Sequence, residues 1–169
     1  MTRQGNHAWL KSLGGPLIAV PRSVVPAWLG ADGPGDDEEK TDYWRACSAP
    51  DPVGVIDVVG KPALVLRTSS VPTTYVEDHR LFVHEMAKTG APDTVAGAIG
   101  LLARAQWRFS GEFTVDEQLV LFDASFPGRY ALEHEHLLIT VPAGGYSVES
   151  TYSKSISTDG VWVTLVRLK

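Results

Sequence analysis

The apolar positions of this chain fall into short runs broken by glycine, proline and acidic residues, the punctuation expected of strands. Leu17, Ile18, Ala19 and Val20 are apolar on both faces, which predicts a strand covered from two sides. Pro16 suits the first position of that strand and Pro21 stops it. Gly14-Gly15, ahead of it, reads as a tight turn, and Ser23–Trp28, behind it, as a short capped helical turn closed by Gly30. The stretch Trp9–Gly30 is therefore expected to form a strand pair overlaid by helix, with Trp9 and Trp28 sealing the core. Two β-branched runs, Gly54–Val59 and Pro62–Arg67, separated by Gly60-Lys61, predict a β-hairpin in which Asp57 points outward or pairs. Thr73–Val76 reads as extended. Arg80–Met86 has no decisive period and is taken as a strand.

One longer helix stands out. Asp93 or Thr94 can cap a segment over 94–106, whose Val95, Ala98, Ile99, Leu102 and Ala105 share one face. Gly97 and Gly100 are expected where that helix packs closely on a sheet. From Trp107 onward the pattern returns to strands. Trp107, Phe109, Gly111, Phe113 and Val115 alternate with polar residues, with Gly111 a candidate bulge. Gln118–Ala124, Glu135–Val141, Gly145–Tyr152 and Gly160–Leu168 complete a meander, and Phe126–Tyr130 is a loop. The expected fold is α+β: a β-rich single domain over 1–169, of mostly antiparallel strands with one longer helix and short helical turns.

Composition narrows the class. With 169 residues, 44% apolar and 21% charged, the chain has the make-up of an ordinary globular domain. One cysteine, Cys47, excludes an internal disulfide framework and suits a reducing cytosol. The start MTRQGNHAWLKS has no signal-type apolar region and no window is long enough to span a membrane, so a cytoplasmic location is expected. The net charge of −5 argues against direct nucleic-acid binding. Its distribution says more. The acidic loop 31–42 holds Asp32, Asp36, Asp37, Glu38, Glu39 and Asp42 against Lys40 alone, a surplus equal to the whole net charge. Such a loop can simply be solvated, or it can steer a basic partner. Directly after it, Asp42–Cys47 can form a short helix carrying Tyr43 and Trp44, one expected in the core and the other free to act as an exposed anchor.

Candidate chemistry is thin. His134 and His136 have the H-x-H spacing that places two imidazoles on one strand face, but no third ligand is signalled, so a solvated strand start is favoured and no metal is expected. His7 falls in a loose N-terminus. Cys47, after Arg45, fits a buried filler better than a nucleophile. Asp123 ends an apolar strand, where catalytic carboxylates occur, yet strand-end aspartates commonly just accept backbone N–H bonds. No nucleophile elbow, zinc-protease helix or phosphate-binding glycine loop is present. No cofactor is expected.

The pieces WLKSLGGPLIAVP (Trp9–Pro21), the W-x-G at Trp28–Gly30 and D-Y-x-R-A-C (Asp42–Cys47) resemble the Imm21 family of immunity proteins from bacterial polymorphic toxin systems. PALVLR (Pro62–Arg67), TTY (Thr73–Tyr75), LVLFDA (Leu119–Ala124), VPAGGYSV (Val141–Val148) and WVTLVRL (Trp162–Leu168) follow in a similar order. The resemblance implies a small cytoplasmic, non-enzymatic protein that binds and neutralises a toxin domain made by its own cell. It does not locate the interface. Charge and aromaticity point to Asp36, Asp37, Glu38, Glu39, Asp42, Tyr43 and Trp44 as partner-binding, and the expected partner is a basic, nuclease-like toxin whose active site they would occlude. Two alternatives stay open: a small-molecule-binding β-rich domain with a pocket walled by Trp107, Phe109, Phe113 and Tyr146, and a hydrolase or transferase built around Asp123 or His134 and His136.

Overall fold

The computed structural model describes residues 2–4, 7–32, 41–67, 70–88, 93–151, 157–158 and 161–169. In chain order the strands are β1 (Thr2–Gln4), β2 (His7–Trp9), β3 (Leu17–Pro21), β4 (Val53–Val58), β5 (Lys61–Leu66), β6 (Thr73–Val76) and β7 (Leu81–Lys88). They continue with β8 (Arg108–Val115), β9 (Leu119–Asp123), β10 (Leu137–Ile139), β11 (Gly144–Thr151), β12 (Ser157–Thr158) and β13 (Val161–Leu168). The helices are α1 (Asp42–Cys47), α2 (Thr94–Leu101) and the single turn α3 (Gly128–Ala131), with 3-10 segments at Arg22–Ala27 and Glu77–His79. This is an α+β fold dominated by antiparallel strands. One sheet has the order β10-β9-β3-β5-β4 and the other β6-β7-β13-β11-β8, with β12 added beside β13; β1 and β2 pair separately.

The two sheets lie face to face, and the burial pattern explains why. Leu17 and Ala19 of β3, Leu64 and Leu66 of β5 and Leu119 and Leu121 of β9 meet Phe82, Phe113, Val148, Val166 and Leu168 of the opposite sheet in one core. The alternate residues are apolar too. Ile18, Val20, Val65, Val120 and Phe122 turn outward and are covered by Val25 and Trp28, by Ala46 of α1 and by Ala131 of α3. On the far side Leu81, Val83, Val163 and Leu165 are covered by Trp9 and by Val95, Ala98 and Leu101 of α2. Strands buried on both faces need apolar residues at every position. That is why Leu17–Val20 shows no alternation.

Several local details depart from the expected pattern. β2 pairs with β1 and β3 lies between β5 and β9, so Trp9–Gly30 is not one strand pair. The two tryptophans seal different layers. Trp28, fully buried, donates from Nε1 to Ala124 O at 2.9 Å, while Trp9 packs under α2. His7 belongs to β2 and is half-buried, not loose. The β4–β5 hairpin turns at Val59-Gly60, one residue early, with φ of 51° and 78°. Helix α2 starts at the Asp93 cap, whose Oδ1 accepts Val95 N and Ala96 N at 3.0 and 3.1 Å, but ends at Leu101 and not near Gln106. Glycine is a poor helix former, and nothing crowds Gly100, so close packing on the sheet does not account for it.

The last strands do not form a simple meander, because β9 and β10 join one sheet while β8, β11 and β13 join the other. A register shift between Val148 and Glu149, opposite Gly111, is the expected bulge. It also resets the alternation, so that Phe113 and Val115 face the core while Phe109 is 65% exposed. The Phe126–Tyr130 region is not wholly loop: α3 packs so closely that a Cβ on Gly128 would lie 1.7 Å from Val25 O.

Candidate partner-binding site

Helix α1 is short and fixed by its first residues. Thr41 Oγ1 accepts Trp44 N at 3.1 Å as N-cap, and Asp42 in the first turn and Arg45 in the last both suit the helix dipole. Asp42 is committed to the scaffold. Its Oδ2 accepts Leu29 N at 2.8 Å and its Oδ1 pairs with Arg45 Nη1 at 2.7 Å, while Arg45 Nη2 donates to Asp57 O at 2.5 Å. The helix is thereby tied both to the segment after the buried strand β3 and to the rim of β4. Ala46 points down into the apolar cover of the sheet.

The adjacent aromatics separate cleanly. Tyr43 is half-buried against Gly15, so close that a Cβ there would fall 2.3 Å from its hydroxyl oxygen. Burial first, then the hydrogen-bonded Cys47 side chain and the charge of Asp123, raise its pKa, so the phenol stays neutral. Trp44 projects outward and is 45% exposed. Asp36, Asp37, Glu38 and Glu39 lie outside the described residues. The site as described is thus Trp44 on a rigid helix, directly following the acidic segment in sequence.

Beside α1 is a concavity of about 330 Å³ lined by Gly14, Gly15, Pro16, Tyr43, Asp51 and Arg67, with Cys47 in its wall. Leu13, which precedes the lining Gly14 in the chain, is 82% exposed. The loop is held from below by Asp123, whose Oδ2 accepts Leu13 N at 2.7 Å and whose Oδ1 accepts Ser125 N and Oγ at 2.9 and 2.7 Å. A second concavity of about 350 Å³ shares Asp51 and is lined by Pro50, Pro52, Arg108, Phe109 and Ser150 among others. In the sequence the turn glycines read as scaffold, and Asp123 as a strand-end acceptor of backbone N–H bonds or the centre of a hydrolase or transferase site. Arg67 and Arg108 carried no signal, since a single arginine at a strand end belongs to no pattern.

These walls draw on Gly14-Gly15-Pro16, Asp42–Cys47 and Pro62–Arg67, the stretches that carry the resemblance. The family model described as Immunity protein 21 matches residues 8–159. The chain belongs to that family. The match takes in every stretch from Trp9 through Val148 and ends before Trp162–Leu168. No curated protein and no solved structure matches the chain.

In this Immunity protein 21 chain the residues considered for other functions are dispersed. Of the four aromatics proposed to wall a ligand pocket, Phe113 is in the inter-sheet core with Tyr146 against it, and Trp107 packs with the α2 layer beneath the Arg167 guanidinium, 3.9 Å away. Phe109 is at the surface, so the four enclose no common cavity. His134 and His136 lie in the turn before β10, not on a strand. His134 stacks on Phe126 at 4.4 Å and its carbonyl meets His136 Nδ1 at 2.9 Å. Among the described residues no three His, Cys, Asp or Glu side chains are grouped to hold a metal. Among them, too, no helix is long and apolar enough to cross a membrane.

Proposed function

We propose that this immunity protein neutralises a cognate toxin by binding it as a protein and covering its active site, without transforming a substrate. Trp44 is the anchor, with the exposed Leu13 as a second apolar contact. The acidic residues Asp36, Asp37, Glu38 and Glu39 guide a basic, nuclease-like toxin to the site and raise its association rate. Asp42 and Tyr43 act from behind, holding the helix and the loop that present the anchor. The carrying observation is a large aromatic left 45% exposed on a capped, doubly tied helix, in a chain of an immunity-protein family. Exposed tryptophans on rigid supports are the residues that most often dominate binding energy.

The test is co-expression with the toxin domain encoded beside this gene, in cells that the toxin alone kills. Restored growth supports neutralisation and failure to restore it overturns the proposal. Mixing the purified proteins separates covering from other routes: a stable complex that abolishes toxin activity is expected, and a toxin covalently altered but unbound would refute non-enzymatic action.

A further inference from the structure

Helix α1 spans six residues, and helices shorter than about 12–15 residues do not hold themselves in water. Its direction is therefore set by what it touches. On one side Asp42 Oδ2 accepts Leu29 N at 2.8 Å and Tyr43 N donates to Gly30 O at 2.9 Å. Underneath, Ala46 joins the apolar layer that holds Val58 and Ala63 of the β4–β5 hairpin. Apolar burial is non-directional, so that contact resists lifting better than tilting. On the hairpin side the directional tie comes from Arg45. Nη1 of its guanidinium donates to Asp42 Oδ1 at 2.7 Å and Nη2 to Asp57 O at 2.5 Å.

The sequence explains why Asp57 O is available. The residue opposite it in the ladder is Pro62, which has no N–H to give. Arg45 supplies a donor instead. The side chains of Arg45 and Asp42 are 45% and 18% exposed, and ion pairs at the surface add little to overall stability. What this one fixes is orientation. Trp44 lies about 200° round the helix from the buried Ala46, so a tilt about that alanine swings the indole across the surface. We propose that Arg45 is a positioning residue for toxin binding: by joining Asp42 to the backbone of β4, it fixes the direction in which α1 presents Trp44. It acts on the toxin through that indole and not by touching the toxin itself. This rests on the toxin-binding proposal and adds to it a residue that charge and exposure alone would place at the contact.

Arg45→Lys keeps the charge but replaces a planar fork by a single nitrogen, which cannot meet both acceptors in the same geometry. In the free full chain, amide hydrogen exchange at constant pH should quicken about fivefold or more at position 45 and at Ser48, whose amides bond Thr41 O and Trp44 O. Exchange in β3 and β9 and the thermal midpoint should not change. Affinity for the toxin domain encoded beside this gene, read by calorimetry, should fall about fivefold in Arg45→Lys, with no further fall when Arg45→Lys is added to Trp44→Ala. Unchanged exchange in α1 overturns the positioning role without any use of the toxin and leaves Trp44 standing as anchor. A uniform rise across both sheets makes Arg45 a stability residue and overturns it as well. So does wild-type affinity in Arg45→Lys, or an equal loss in both backgrounds, which would make Arg45 a direct contact. If Trp44→Ala binds as tightly as wild type, the anchor itself falls, and with it anything for Arg45 to position.

Discussion

Acidification should destabilise this fold through one residue, His84. It lies on β7, wholly buried, two positions from the core residue Phe82; its Nδ1 is 2.9 Å from Thr73 Oγ1 and its Nε2 has no described partner. Burial alone lowers its pKa from 6.5 to about 3. The unfolded chain therefore takes up a proton as the pH falls through 6.5, while the folded chain stays neutral there until about 3. Stability is fully present above 6.5 and is lost progressively below it, by about 1.4 kcal/mol per pH unit. Between about pH 7.5 and pH 5.0 the loss is about 2 kcal/mol, a large share of the roughly 5–15 kcal/mol typical of a domain. Urea denaturation followed by tryptophan fluorescence at both pH values measures it. His84→Asn keeps an amide near Thr73 and cannot titrate. The variant starts less stable, but its drop between the two pH values should be smaller than the wild type's by about that 2 kcal/mol. Equal drops in both proteins would refute the argument and mean that His84 is protonated inside the fold or already neutral outside it.

Three further outcomes follow from single positions. Val59 holds φ at 51° while 71% exposed, a conformation β-branched residues resist, so Val59→Asn should raise the unfolding free energy by about 1 kcal/mol, measured by urea denaturation. Gly128→Ala places a methyl 1.7 Å from the Val25 carbonyl oxygen, a backbone atom that cannot step aside, and should cost about 3 kcal/mol or prevent folding, measured by thermal melting. Trp44→Ala should change stability by under about 1 kcal/mol yet weaken toxin binding by about 2 kcal/mol or more in calorimetry, and equal losses in both would make Trp44 a packing residue instead.

What could be read from the sequence is what depends on near neighbours. The β4–β5 hairpin, the Asp93 cap and the Gly111 bulge were legible because each is set by a few adjacent residues. The hairpin turn was misplaced by one position because Val59 adopts a conformation against its own preference, enforced by the pairing on both sides. The division of strands between two sheets was not legible. Leu17–Val20 and Leu119–Phe122 are apolar on both faces, and nothing in such a run tells which neighbour it joins. The face of Phe109 was lost for a related reason, since one extra residue at the bulge inverts everything beyond it. At the site, the pair Tyr43 and Trp44 was recognisable, but the choice between them was made by Gly15, far off in the chain.

Asp123 links the deepest part of the molecule to its most exposed leucine. Its carboxylate ends a strand buried on both faces and accepts the Leu13 amide, so the loop bearing that side chain is anchored to a core strand. A surface held in its bound shape beforehand surrenders little conformational freedom when contact is made. Were the toxin proposed above captured at this loop, capture would be limited by how often the two molecules meet, not by how long the loop takes to arrange itself. For the toxin capture proposed above, that is the useful regime.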